Sequence, residues 1–443
     1  MAMSAQAQYL RALLGATALI VVMIAADSAQ AGGFAIREQS ATGQGASFAG
    51  IAAGGGGSIS GMFWNPAVVT QGSGLQSESH LSVIIPQSDV TIDPARSTIP
   101  GSTVVPLTAL GATLGPTSGD IGQGALVPAS YGSYRVNDSL YLGYSVNAPF
   151  GLVTDPPSGW AARFHAQTSD LMTINAAPTI GYKINDMLSV AAGVQINYID
   201  ARLTSAGTGG STVIVEGDDW GFGGTIGATF TPMEGTSIGL GYRSRIKHTL
   251  EGTAKSHALS GAVTSLGGGI TGDITLPDTV TLGVRHDLTP EWTVLGGVEW
   301  SNWSTFETLQ INLNSGGALS TVPENWDDGW MFSLGLEYKW DDALTLRAGG
   351  AYEISPVPDQ FRTTRIPDAD RIWASVGASY RFNDWASIDV GYTHIFVDDA
   401  PINLTDPLDV SRGYLFGDAD GSVDIVGVSL RFNWGGSSAP KLF

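Results

Sequence analysis

Apolar and polar residues alternate along most of this chain with a period of two. Near the C-terminus Val426, Val428, Leu430, Phe432 and Trp434 are interleaved with Gly427, Ser429, Arg431 and Asn433. In a strand successive side chains point to opposite faces, so this pattern gives one apolar and one polar face. It recurs in Ile372, Ala374, Val376, Ala378, Tyr380 and Phe382 against Arg371, Ser375, Gly377, Ser379 and Arg381, and in Phe332, Leu334, Leu336 and Tyr338 against Ser333, Gly335 and Glu337. Trp373 is an exception, an aromatic on the polar face.

Tight turns are predicted at Asn137-Asp138, Asn185-Asp186, Pro232 to Gly235, Thr289-Pro290, Asp341-Asp342 and Asn383-Asp384, each joining two such segments. Long polar connections fall at 86–124, 149–168, 204–217, 250–274, 309–327, 355–370 and 399–419. Short and long connections in alternation predict fourteen antiparallel strands between 74 and 434. That is the pattern of an all-β transmembrane antiparallel barrel, with short turns in the periplasm and long loops outside. A soluble sandwich would also contain strands, but gives no reason for long loops to occupy alternate connections.

Tyr134, Tyr182, Trp292, Tyr338, Trp340, Phe382, Trp385, Phe432 and Trp434 lie near the short turns, where an aromatic girdle would meet the membrane interface. The polar faces carry Arg243, Arg245, Arg285, Glu299, Glu337, Arg347, Glu353, Arg371, Asp389 and Arg431, which are expected in the lumen because lipid would penalise them.

Residues 1–31 read as a signal peptide. A short basic start leads to an apolar run from Ala12 to Ala26 and small residues at Ala29 and Ala31, with cleavage before Gly32. Residues 32–73 lack the two-residue period and carry an Asn65-Pro66 turn. They form either a plug inside the barrel or an extension into the periplasm, which would leave Phe34, Phe63 and Trp64 in water. The barrel takes 74–434 and a tail follows at 435–443.

Composition narrows the function. With 21 basic against 41 acidic residues, a formal charge of -20 opposes binding to nucleic acid. The absence of cysteine removes thiol chemistry. No phosphate-binding glycine loop, nucleophile elbow or spaced histidine cluster appears in the sequence, so no cofactor, metal or catalytic residue is assigned. A water-filled porin and an outer-membrane esterase remain as alternatives.

The segments AGGFAIREQSATGQGASFAG and FWNPA resemble the N-terminal hatch of outer-membrane transporters of the FadL type, and the likeness continues through NAPFGLVTDPPSGWAARF, SPVPDQFRTTRIPDADR and the final strand. The resemblance implies a monomeric fourteen-strand barrel with its hatch (Phe34, Phe63, Trp64, Asn65, Pro66) inside the lumen, embedded in outer-membrane lipid and lipopolysaccharide. It further implies uptake of long-chain fatty acids, or of aromatic and other hydrocarbons, by diffusion without an energy source.

Two long loops then become candidate capture sites for a hydrophobic small molecule: Leu107, Leu110 and Leu114 in the first, Phe150, Leu152 and Trp160 in the second. The first is either an apolar groove or a self-packed cover. Arg202 occupies the position of a carboxylate-binding arginine in the resembling family, or makes a salt bridge with Asp200. The family's second basic ligand residue has no counterpart in STVPENWDDGWMF. Gly143 in the third strand and Pro178 in the fourth mark a possible lateral gate or a harmless bulge.

Overall fold

The computed structural model describes residues 32–434, so the signal peptide and the C-terminal tail assigned above lie outside the described residues. Fourteen antiparallel staves close into one barrel. They are β1 (Leu75–Ile92), β2 (Ala125–Arg135), β3 (Leu140–Asn147, resuming at Gly151–Thr154), β4 (Ser169–Lys183), β5 (Leu188–Ala206), β6 (Thr212–Met233) and β7 (Thr236–Arg243 and Ile246–His257). The second half comprises β8 (Ile270–Leu276 and Thr279–Asp287), β9 (Trp292–Ser301 and Thr308–Leu313), β10 (Gly329–Lys339), β11 (Leu344–Ile354), β12 (Arg371–Asn383), β13 (Ala386–Leu404) and β14 (Leu415–Asn433). Each pairs with its chain neighbour, and β1 closes on β14 from Gln76↔Asn433 to Ile92↔Gly417.

The six short turns stand where the sequence puts them, and five share one device. The side-chain oxygen of Asn137, Asn185, Thr289, Asp341 or Asn383 accepts two backbone N–H groups of the returning strand, as Asn185 does from Met187 and Leu188 at 2.9 and 2.8 Å. Aromatics cluster beside these turns: Trp292 lies 4.5 Å from Tyr338, and Phe432 lies 5.5 Å from Trp434.

The opposite end differs from expectation. Several connections read as long loops are largely strand: β5 and β6 pair up to Ala206↔Thr212, and β1 runs through Pro86 to Ile92. Beyond the lipid both faces of a strand meet water or loops, so apolar alternation fades while backbone pairing persists. Pro86 lies just past Ile84, where the β2 partner ends, a setting that tolerates proline.

Residues 32–73 fill the lumen. The short helix α1 (Ala41–Gln44) is capped by Ser40, whose Oγ accepts the Gly43 N–H at 2.9 Å. A 3-10 turn, Pro66–Gln71, is capped by Asn65 with proline at its first position. Asn65 Nδ2 also donates to the carbonyls of Ala52 and Ala228, at 2.7 and 2.9 Å, tying hatch to wall. Phe34, Phe63, Trp64 and Pro66 are all buried. Withdrawing each large apolar side chain from water contributes about 1.5–3 kcal/mol, which favours a plug over an extension.

The wall accommodates this plug with glycine. A Cβ placed on Gly377 would sit 2.7 Å from Gly45 Cα, one on Gly391 2.8 Å from the Ala41 carbonyl oxygen, and one on Gly283 2.8 Å from Ala53 N. At Gly239 and Gly241 it would fall on the carbonyls of Ala52 and Trp64. These strand glycines let two backbones approach, and they account for part of the chain's 59 glycines.

The inward charges pair with each other or with the hatch. Glu337 holds Arg347 and Arg285 at 2.7 and 2.5 Å, Asp389 holds Arg431 at 2.8 Å, and Arg37 of the hatch bridges Glu299 and Glu353. Arg243 donates to Gln195 and to the Phe63 carbonyl. Arg245 departs from the expected lumenal set: it sits in the break of β7, its side chain 43% exposed, and pairs with Asp278. Trp373, the exception in the pattern, faces inward, donates to Glu353 and packs edge-on against Phe48 of the hatch.

Candidate functional site

Above the hatch, at the end of the long loops, lies an apolar cavity of about 100 Å³. Strand alternation builds it: Leu171 of β4, Ala201 and Leu203 of β5, and Ile270 and Ile274 of β8 all point into it. The hatch supplies Phe34, whose ring meets Trp303 at 4.7 Å and Phe306 and Trp326 at 5.9 Å. Leu152 completes the wall from the resumed part of β3.

Polar groups on this cavity are few. Arg365 comes from the loop between β11 and β12, and its guanidinium donates to the carbonyls of Thr168, His165 and Thr204 and to Ser169 Oγ, at 2.8–3.2 Å. Burial pushes Arg365 down to about 10, with Arg412 adding to the fall. Glu324 precedes β10, and its Oε2 accepts the Trp326 indole N–H at 2.9 Å. Burial pushes this carboxyl up to about 8, against the lowering effect of that hydrogen bond and of Arg412 and Arg365.

The structure divides the candidate residues. Phe150 and Leu152 join the cavity's cluster through Phe34, whereas Leu107 and Trp160 lie buried in a separate cluster with Val90, Ile92 and Leu415, against which Leu110 and Leu114 pack. The first loop thus packs on strand ends and on the second loop, away from the cavity; Arg163 and Trp160 fasten the second loop, donating to Leu114 and Ala166 carbonyls. Arg202 lies between Ala201 and Leu203, which line the cavity, so alternation turns it to the other face of β5, in register with Asp170 and Glu216. No lumenal head-group role follows from that placement.

At Pro178 the β4–β5 ladder skips two pairs, from Ala176↔Ile196 to Thr179↔Gly193, and keeps its register, but the longer break in the wall lies elsewhere than Gly143 and Pro178. Gly143 faces Val69 and Met62 of the hatch inside a continuous ladder, and Pro178 lies in register with Tyr144. The β2–β3 ladder instead ends at Ser130↔Val146. From there Ala148–Gly151 turns to the hatch: Ile36 N donates to Pro149 O at 2.8 Å, Gly151 N to Phe34 O at 2.9 Å, and Gln39 Nε2 to Ala148 O at 2.8 Å. Pro149 was the available sequence signal for this site. Arg365 stood in the RIPDADR neighbourhood, but nothing local pointed its side chain at a cavity.

A model of the outer membrane protein transport family described as OMPP1/FadL/TodX matches residues 22–434. The chain belongs to that family. It is an outer-membrane β-barrel transport protein and not an enzyme. Among relatives, the long-chain fatty acid transport protein of Escherichia coli O6:H1 is 28% identical over 85% of this chain and 89% of its own length. A 47 kDa outer membrane protein of Pasteurella multocida is 30% identical over 86% and 90%. The crystal structure of a Pseudomonas aeruginosa FadL homologue superposes with a TM-score of 0.81 at 23% identity, covering 91% of this chain and all of that one. The Pseudomonas putida toluene transporter TodX gives a TM-score of 0.63 at 18% identity, over 85% and 94%.

Five histidines of this FadL-family barrel, His80, His165, His248, His286 and His394, make polar side-chain contacts. His248 contacts Asp219 and Asn197, His286 contacts Thr236, and His165 contacts the Gly413 carbonyl. His80 lies near Ser58 and Ser60, but its Nδ1 accepts the Ala41 N–H and its Nε2 faces Glu78, so neither ring nitrogen is left to activate a serine.

Proposed function

We propose that this chain, acting as a monomer in outer-membrane lipid and lipopolysaccharide, takes up hydrophobic compounds, foremost long-chain fatty acids, by diffusion without an energy source. The observation that carries the reading is the apolar cavity capped by Phe34 of the hatch, next to the stretch where β3 leaves β2 and pairs with that same hatch segment. Ligand gathered at the loops settles in the cavity, movement of Phe34–Gln39 frees it, and the gap beside Ala148–Phe150 lets it leave sideways into the membrane. The named long-chain fatty acid transport proteins among the relatives support this substrate class.

A second reading, uptake of neutral or aromatic hydrocarbons by the same route, is favoured by the aromatic lining around Phe34 and by the named toluene transporter. The filled lumen argues against an open porin. Uptake of labelled oleate and of labelled toluene into cells lacking their own transporters, with and without this chain, tests both. Accumulation of neither above the empty cells, with the barrel verified as inserted, sinks the reading; accumulation of toluene alone selects the second.

A further inference from the structure

Among the acidic residues that border the cavity, Glu324 has a position unusual for a site meant to hold an anion. Glu324 is 5% exposed, and it lines the cavity together with Leu171, Ile274 and Phe306. The Trp326 indole satisfies one of its oxygens, and no ion pair to Glu324 is found among the described residues. Arg365, the cation on the same cavity, directs its terminal nitrogens to four acceptors of the surrounding loops, a geometry that pins those loops rather than presenting a fork to a ligand. Glu216, on the same outer face as its register partner Arg202, is paired with Lys255. Asp273, also on the lining, accepts from Thr249.

A carboxylate entering this space would bring a second negative charge against an acidic group in apolar surroundings, and neither would be hydrated. A neutral head meets no such cost. A carboxylic acid, alcohol or ketone can exchange a hydrogen bond with a protonated Glu324, and its chain then lies along Leu171 and Ile274. Burial, with Asp409 reinforcing it and Arg412 and Arg365 opposing it, keeps the Glu324 carboxyl protonated up to about pH 8. His165, whose carbonyl Arg365 holds, is pushed down to about 3 by burial and stays neutral over the same range.

We propose that this cavity binds its ligand with an uncharged head group and that Glu324 is the hydrogen-bonding residue that selects it: a long-chain acid enters protonated, and an alcohol or ketone of equal length enters unchanged. The inference rests on the reading of the cavity as the ligand site. It adds that the charge of the head group, as well as the apolar chain, decides what is taken up.

The test is equilibrium binding of radiolabelled dodecanoic acid and 1-dodecanol to the mature protein in lipid nanodiscs between pH 6 and pH 8. The expected result is an affinity for the acid that falls about tenfold per pH unit, following its uncharged fraction, with the alcohol constant within threefold. Glu324→Lys should flatten the acid's profile by supplying a partner for the carboxylate. Heat-modifiability on gels verifies that each barrel is folded. A flat acid profile in the unmodified protein overturns the proposal, as does a slope that persists unchanged in Glu324→Lys. Leu171→Trp, which fills the cavity, separates the two readings. If it abolishes binding of both ligands the cavity is the site and the slopes decide the head group; if it affects neither, the cavity reading and the proposal fall together.

Discussion

Two cavities among the described residues are of opposite character, one on each side of the hatch. Toward the short turns, a space of about 500 Å³ is lined by Arg285, Glu337, Arg347, Arg381 and Arg431 and by Gly56 and Gly57 of the hatch. Toward the long loops, the smaller cavity presents Phe34, Leu171, Ile274 and Phe306. One barrel wall produces both, because its inward residues change from charged to apolar along the staves. The difference bears on the route. A hydrocarbon chain leaving the apolar cavity straight down would pass the hatch into a charged, wet vestibule, whereas the break at Ala148–Phe150 adjoins the apolar side.

Removing the hatch would break this contrast most completely. Deleting residues 32–70 with residues 1–31 left in place should join the two cavities and raise small-ion conductance in planar bilayers manyfold, while wall pairing keeps the barrel inserted. Equal conductance of truncated and full-length proteins would show that the hatch does not occlude the bore. A single side chain should give part of that effect. Gly239→Val would drive a side chain into the Ala52 carbonyl and displace the hatch, raising conductance, whereas Gly296→Ala, on the outer face with its nearest neighbour 3.8 Å away, should change nothing.

The loop side can be sharpened through Arg365. Arg365→Met removes four hydrogen bonds that tie the loops together, although the Thr168 and Thr204 carbonyls keep the Thr204 and Gln167 N–H groups as donors, so faster proteolysis of the loops and at least a tenfold loss of ligand affinity are expected. Unchanged cleavage and binding would mean those hydrogen bonds do not hold the cavity. A smaller effect follows from Glu324. Its folded-state pKa is raised, so its contribution to stability is full below the ordinary carboxylate range and is lost as pH rises through about 8. Protease susceptibility of the 315–326 connection should therefore climb between pH 5 and about pH 8 and level off above, and Glu324→Gln should remove the climb.

The smallest effect is expected at Arg202. Turned away from the cavity, Arg202→Ala should alter binding of a long-chain acid by less than about 0.5 kcal/mol, as for substitutions remote from the site. Calorimetry on acid and alcohol would measure it. A loss of 1–3 kcal/mol confined to the acid would restore this arginine to the head-group site and undercut the placement of Glu324.

What the sequence determined by itself was the local physics. Lipid on one side of each stave imposes a two-residue period, so strand number, short turns such as Asn185-Asp186 and the aromatic girdle were legible from neighbours a few positions apart. The hatch was legible because a non-periodic stretch carrying Phe63 and Trp64 needs an interior. The tertiary structure alone decided what meets across the lumen. Arg365 reaches the carbonyls of Thr168 and Thr204, Glu324 faces the same cavity as Leu171, and Gly391 makes room for Ala41. Such pairings lie far apart in the chain and leave no periodic trace. The extended ends of β1, β5 and β6 were hidden for a related reason: above the bilayer no apolar solvent selects one face, and only the ladder of backbone hydrogen bonds records that a strand is there.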